Sequence, residues 1–185
     1  MVDYAGFSMP IYYKSINLEH NHVRKSVGIF DVSHMGQVII QGNDSLNFLQ
    51  KITTNNVSKL NIGKVQYSCI TNPNGGILDD LLVYKLSQEK YMLVVNASNT
   101  DKIINWMSKH NKYDLDIENV TSKKGLIALQ GPKALSLLQK ITNYDLSKIS
   151  YYSFDFIDLL EEKNIIVSAT GYTGAGGFEI YAEKE

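Results

Sequence analysis

The feature that most restricts this chain is a stretch that occurs twice. Gln41-Gly42-Asn43-Asp44-Ser45-Leu46-Asn47-Phe48-Leu49-Gln50-Lys51-Ile52-Thr53 and Gln130-Gly131-Pro132-Lys133-Ala134-Leu135-Ser136-Leu137-Leu138-Gln139-Lys140-Ile141-Thr142 lie 89 residues apart and agree at eight of thirteen positions. Each copy follows an apolar run, 38–40 in one and 126–129 in the other, and continues with apolar residues at helical spacing, so both read as strand, turn, helix. Asn43 or Asp44 is the expected cap of the first helix, and Pro132 takes a first-turn position in the second. A single duplication is not a solenoid, which needs several copies. It predicts two related α+β units. The likeness is expected to continue more weakly, with 64–68 echoed by 149–153 and Gly75-Gly76-Ile77 by Gly176-Gly177-Phe178. On that alignment each Gly-Gly leads to an acid on a strand, Asp79 and Asp80 in the first copy and Glu179 in the second. Two such units packed face to face would enclose a ligand cleft with a carboxylate from each.

The remaining segments fill in an α+β fold with antiparallel sheets and packed helices. Residues 5–15, with Gly6, Pro10, Phe7, Tyr12 and Tyr13, suit an irregular or short extended piece covering a core edge. Residues 16–27 read as a helix with Leu18, His22, Val23 and Val27 on one face, stopped by Gly28. A turn over 28–36 then feeds a strand at 37–42. Strands are expected at 64–71, 77–86, 91–95 and 115–120, and Thr100 caps a helix carrying Ile103, Ile104, Trp106 and Met107. The division expected from this pattern is 45–120, ferredoxin-like, and 1–44 together with 121–185.

Composition narrows the function classes. Lys and Arg number 18 against 19 Asp and Glu, a net charge of −1, so no global basic field draws nucleic acid or an anionic membrane. The single cysteine, Cys69, has no internal partner and reads as a small core residue, which points to a reducing compartment. No Cys/His cluster has metal-ligand spacing, and His20 and His22, two apart, do not face one another on a helix. Asp31, Ser33 and His34 are too close in sequence to converge as a hydrolytic triad. With no apolar run long enough to span a bilayer and no signal peptide at the start, the expected location is the cytoplasm, or an organelle interior after removal of a targeting segment.

The chemistry is carried by two glycine-rich turns. Asn72-Pro73-Asn74-Gly75-Gly76 is a hairpin turn, because Asn and Gly accept positive φ, and Ile77, Leu78, Leu81, Leu82 and Val83 make the strand that follows. Alternation sends Asp79 and Asp80 to opposite faces, so only one can look into a given pocket; Leu82 and Tyr84 share the face of Asp80. Gly171-Tyr172-Thr173-Gly174-Ala175-Gly176-Gly177-Phe178-Glu179-Ile180-Tyr181 brings backbone close to something, but no Gly-Lys-Ser/Thr ends the run and it is not a phosphate loop. Taken alone, the Asp79-Asp80 pair reads first as a turn cap or a solvated strand end.

Segments 1–13, 24–36 (Arg-Lys-Ser-Val-Gly-Ile-Phe-Asp-Val-Ser-His-Met-Gly), 75–81, 128–132 and 171–179 together resemble the aminomethyltransferase, or T-protein, family of the glycine cleavage system. Members of that family are much longer, so the chain looks like their N-terminal, folate-binding half. The resemblance implies transfer of an aminomethyl carbon from the lipoyl arm of a carrier, the H-protein, to tetrahydrofolate, with release of ammonia. It implies Asp80 as the catalytic carboxylate and Glu179 as the acid that meets the pterin amino and ring N–H groups. Met35, Tyr67, Leu82, Tyr84, Asn96 and Tyr172 fall at positions lining that pocket. The 185-residue piece alone is expected to bind folate weakly and to turn over negligibly. In a eukaryote the compartment would be mitochondrial. Rival readings are a folate-binding relative without transferase activity, the folate domain of a demethylating oxidase, and a carrier-docking module whose acids are surface caps.

Overall fold

The structure, a computed structural model, describes residues 1–184. A hairpin of β1 (Val2–Tyr4) and β2 (Phe7–Met9) precedes α1 (Ile16–Lys25), β3 (Gly28–Asp31), β4 (Gly36–Gln41) and α2 (Ser45–Ile52). The chain continues through β5 (Val65–Thr71), β6 (Ile77–Lys85), β7 (Lys90–Val95), α3 (Thr100–His110) and β8 (Asp116–Asn119). It ends with β9 (Lys124–Gln130), α4 (Ala134–Leu138), β10 (Phe154–Leu159), β11 (Glu162–Ser168) and β12 (Gly177–Glu183).

Two units result, a continuous one over 35–124 and a split one made of 1–34 with 125–185. The continuous unit holds a sheet ordered β5-β6-β7-β4-β8, and the split unit one ordered β10-β11-β12-β9-β3. Set side by side, the orders match strand for strand, and the 89-residue offset persists well beyond the duplicated stretch. Ser45–Ile52 corresponds to α4 with the 3-10 turn Gln139–Ile141, the 3-10 turn Val57–Lys59 to Leu146–Lys148, and Val65 to Phe154. Even the caps repeat. Asn56 Oδ1 accepts from Ser58 N and Oγ at 3.1 and 2.6 Å, and Asp145 Oδ1 from Ser147 N and Oγ at 3.1 and 2.6 Å. The copies differ in where the last helix and strand come from: α3 and β8 close the continuous unit from its C-terminal end, whereas α1 and β3 enter the split unit from the chain's beginning.

Several expectations are corrected here. Residues 28–36 are not all turn, because Gly28–Asp31 pairs with 127–130 as an edge strand. Gly28 therefore opens β3 rather than stopping α1, which ends at Lys25, and α1 buries none of its residues, Leu18 included. Residues 5–15 begin as a hairpin turned at Ala5 and Gly6, both at positive φ, and lie exposed rather than over a core. The unit boundary falls at 34/35 rather than 44/45, because β4 makes its ladders with β7 and β8. Pro132 precedes the cap residue Lys133 and so lies outside α4. The weaker echoes align differently in the structure: Val65–Ser68 corresponds to Phe154–Ile157, and Gly176-Gly177 opens β12, the counterpart of β7 and not of β6. Asp79 and Asp80 on the one hand and Glu179 on the other are thus not equivalent positions of the repeat.

Within the continuous unit β6 alternates as its sequence demands. Leu81 and Val83 join Val38, Ile40, Leu93 and Val95 in a core closed by Phe48, Leu49 and Ile52 of α2 and Ile103 and Met107 of α3. Order β8-β4-β7-β6 with helices between is the split βαβ arrangement, and β5 adds an edge. The other sheet face carries the row Tyr67, Leu82, Val94 and Gln37 in direct register. In the split unit Leu138, Leu146, Ile157, Ile165, Val167 and Phe178 form the corresponding core.

Candidate functional site

The β5–β6 turn is closed by Asn72, whose N–H reaches Gly76 O at 2.8 Å while its Oδ1 accepts from Asn74 N and Gly76 N at 2.9 and 3.0 Å. Gly75 takes φ 81°, the left-handed region that the Asn-Gly-Gly signal anticipates. β6 then pairs with β7 only as far as Leu81 opposite Val95, so the two aspartates lie beside Asn96, just past the end of β7.

Asn96 reaches both of them. Its Nδ2 lies 2.8 Å from Asp80 Oδ1, 3.2 Å from Asp80 O and 2.9 Å from Asp79 Oδ1. The other Asp80 oxygen, Oδ2, accepts from the Tyr67 hydroxyl at 3.0 Å. That bond to a carboxylate holds the Tyr67 hydroxyl's pKa up at about 12, with burial adding in the same direction. Asp80 is half-buried. A carboxylate offers about four lone-pair directions, so two bonds leave it able to accept from a further donor.

In the split unit the glycine-rich loop is fixed by Gln130, a residue sequence reasoning passed over. Its side chain is 1% exposed. Nε2 donates to Thr170 O and Phe178 O at 3.1 and 3.2 Å, and Oε1 accepts from Thr173 Oγ1 at 2.8 Å. Gly171, at φ 136°, packs against this amide so closely that a Cβ would meet it at 2.2 Å. Arg24 of α1 adds a bond to Thr173 O at 3.1 Å. The loop presents Tyr172 with 93% of its surface exposed. At its far end Glu179 is half-buried on β12 and accepts from Thr170 Oγ1, which itself lies 3.0 Å from Ser168 Oγ. Burial pushes the Glu179 carboxyl pKa up, against the pull of the Thr170 and Tyr181 hydroxyls.

The structure therefore joins Tyr67, Asp80 and Asn96 through hydrogen bonds and puts Leu82 on their face. Tyr84 shares that face by register but is fully buried, which makes it backing rather than an exposed wall. Met35 immediately precedes β4, whose Gly36 is opposite Val95. Tyr172 and Glu179 belong to the other unit. A hollow of about 740 Å³ in the split unit, lined by residues such as Thr142, Tyr144, Phe156 and Lys163, contains none of these residues. Among the described residues no group of three or more His, Cys, Asp and Glu is placed to hold a metal ion. No helix among them is long and apolar enough to cross a membrane.

The family described as the GCVT N-terminal domain matches residues 1–185. Aminomethyltransferase of Flavobacterium psychrophilum is 50% identical over the whole chain, which covers 51% of that protein. Those of Bacteroides fragilis and Thermosipho melanesiensis are 52% and 53% identical over 98% of the chain and 50% of their own length. The chain spans about half the length of the curated relatives it matches. Among solved structures, glycine cleavage system aminomethyltransferase T from Bartonella henselae superposes with a TM-score of 0.87 at 30% identity, over 97% of this chain and 48% of that one. Heterotetrameric sarcosine oxidase from a Corynebacterium shares the fold, with a TM-score of 0.63 at 13% identity over 90% of this chain and 82% of that one.

Proposed function

This chain belongs to the family described as the GCVT N-terminal domain, and from that membership we propose that it forms the folate-binding part of an aminomethyltransferase of the glycine cleavage system. The substrates are a lipoyl-bound aminomethyl group on an H-protein carrier and tetrahydrofolate, which supplies the nucleophilic nitrogen that receives the carbon. The compartment is the cytoplasm, or the interior of an organelle where the organism has one for this pathway.

The observation that carries the reading is Asp80. Its carboxylate sits at the start of β6, oriented by Asn96 and Tyr67 and with accepting capacity to spare. A fixed, partly buried carboxylate can take the proton of a folate amine and favour positive charge developing on the transferred carbon. Leu82, Tyr67, Asn96, Met35 and Tyr172 are assigned to binding, with Tyr84 as the buried backing of that face. Glu179 is assigned to the pterin edge, where two N–H donors suit a carboxylate whose charge burial disfavours.

The test is single-turnover transfer from aminomethylated carrier to tetrahydrofolate by the full gene product and its Asp80→Asn variant. A loss of about 10²-fold or more in the rate is the expected result, since positioned acid–base groups contribute about that much. Transfer at the parental rate in the variant would remove Asp80 from the chemistry. Failure of the parent to transfer at all would remove the reaction.

A further inference from the structure

Asp79 is a buried carboxylate that the transfer chemistry leaves without a task. It is 4% exposed on the core side of β6. Burying a carboxylate is costly unless donors surround it, and here they do. Asp79 Oδ2 accepts from Asn96 N at 2.9 Å, and Oδ1 accepts from Asn96 Nδ2 at 2.9 Å and from Asn99 Nδ2 at 2.6 Å. The carboxylate thus pins both the backbone and the side chain of Asn96 and ties in the 3-10 turn Ala97–Asn99 that follows.

An asparagine amide can be turned over with almost no change of shape, so its orientation is set by what its two ends face. At Asn96 three acceptors, Asp79 Oδ1, Asp80 Oδ1 and Asp80 O, converge on the nitrogen end. We propose that Asp79 is a positioning residue: it locks the Asn96 amide with its N–H groups toward Asp80, and so fixes the plane of the Asp80 carboxylate. This rests on the reading of Asp80 given above. Changing Asp79 to Asn puts an NH2 group where only donors point. Relief comes from turning the Asn96 amide, which then aims its oxygen at Asp80 and drives that carboxylate away from Tyr67.

Two readouts on the full gene product test this. In the transfer assay Asp79→Asn lowers kcat by roughly 10- to 100-fold with the KM for tetrahydrofolate within about threefold, because orientation and not ground-state binding is lost. On an Asp80→Asn background the same change costs less than about twofold more, since residues acting as one unit are not additive. An equal fractional loss in both backgrounds marks a merely structural role and overturns the proposal.

The second readout needs no reaction. Tyrosinate absorbance, taken as the difference from a Tyr67→Phe protein, shows Tyr67 silent below about pH 11 in the parent and titrating nearer its ordinary value of about 10 in Asp79→Asn. A Tyr67 that stays silent in that variant overturns the proposal. If Asp80→Asn transfers at the parental rate, the reading of Asp80 falls, while the Tyr67 titration still decides whether Asp79 orients it. Should Asp79→Asn lack a cooperative melt, Asn96→Ala, which leaves Asp79 its bond to Asn99, must give the same kcat loss and the same Tyr67 shift. Parental values in Asn96→Ala overturn the proposal.

Discussion

Glu179 is the residue whose charge the structure disfavours most plainly, and the sign of that effect can be followed into measurements. Its folded pKa lies above the ordinary carboxyl value because burial outweighs its hydroxyl partners. A raised folded pKa contributes stability that is fully present below the unfolded pKa and lost as pH rises through the folded one. At neutral pH the ionised group therefore costs stability, and Glu179→Gln, which keeps an acceptor without the charge, should melt higher, by on the order of 2 °C in a chain of this size. That gap should narrow as pH falls through the raised pKa and close below the ordinary carboxyl value of about 4.3; differential scanning calorimetry at several pH values reads it. Folate affinity should move the other way. Donors on the pterin favour the ionised carboxylate, so parental affinity drops on acidification, while Glu179→Gln binds roughly tenfold or more weakly at neutral pH and the gap narrows as the pH falls. Equal affinities at neutral pH would take Glu179 out of the pterin site. At this scale the sequence was legible where local alternation decides, as with the opposite faces of Asp79 and Asp80. It was silent on Asn96 bridging both aspartates and on Gln130 gripping the glycine-rich loop, since both depend on where one strand ends against another.

Elements were legible in proportion to how local their causes are. Strands β5, β6 and β7 and helices α2 and α3 follow from apolar periodicity and from the Asn-Gly-Gly turn, and the bounds of the three strands lie within a residue or two of the expected ones. β3 was lost because a four-residue edge strand, mostly exposed, has neither the length nor the alternation to announce itself. α1 follows from its apolar spacing, but the helix ends at Lys25, before Val27, and none of its residues is buried. The repeat is legible in its strongest thirteen residues, and its extension is not, because sequence echoes decay faster than the pattern of pairing. The duplicated caps show how far the architecture outlasts identity: Asn56 and Asp145 are different residues making the same two bonds at the start of the same 3-10 turn. Asn56→Ala and Asp145→Ala should therefore each cost about 1 kcal/mol, the usual worth of a cap, and the two losses should agree within about 0.5 kcal/mol and add in the double variant. Urea denaturation measures both. A large cost at one site and none at the other would mean that the repeated geometry carries no repeated energetics.

For the whole molecule, the interleaving of the two units makes a sharper demand than the repeat itself. The continuous unit draws all five strands and both helices from 35–124, and its core, with Phe48, Tyr91, Leu93, Ile103 and Met107 fully buried, is supplied from that stretch. The described residues from 125 onward hold only four strands of the other sheet. β3, the partner of β9, comes from the first 34 residues, and without it the edge of β9 from 127 to 130 is left open. A chain of that size buries a smaller fraction of its surface and has little stability to spare. Expressed alone, 35–124 should then give a cooperative thermal transition and dispersed amide spectra. Residues 125–185 alone should give neither until a peptide of 1–34 is added, which should restore dispersion. Deleting a core side chain checks that the isolated unit uses the core described: Phe48→Ala should cost it about 3–5 kcal/mol, the range for truncating a buried aromatic ring. If 125–185 folded unaided while 35–124 did not, the order of dependence would be reversed, and the N-terminal segment would have to be explained by something other than completing a sheet.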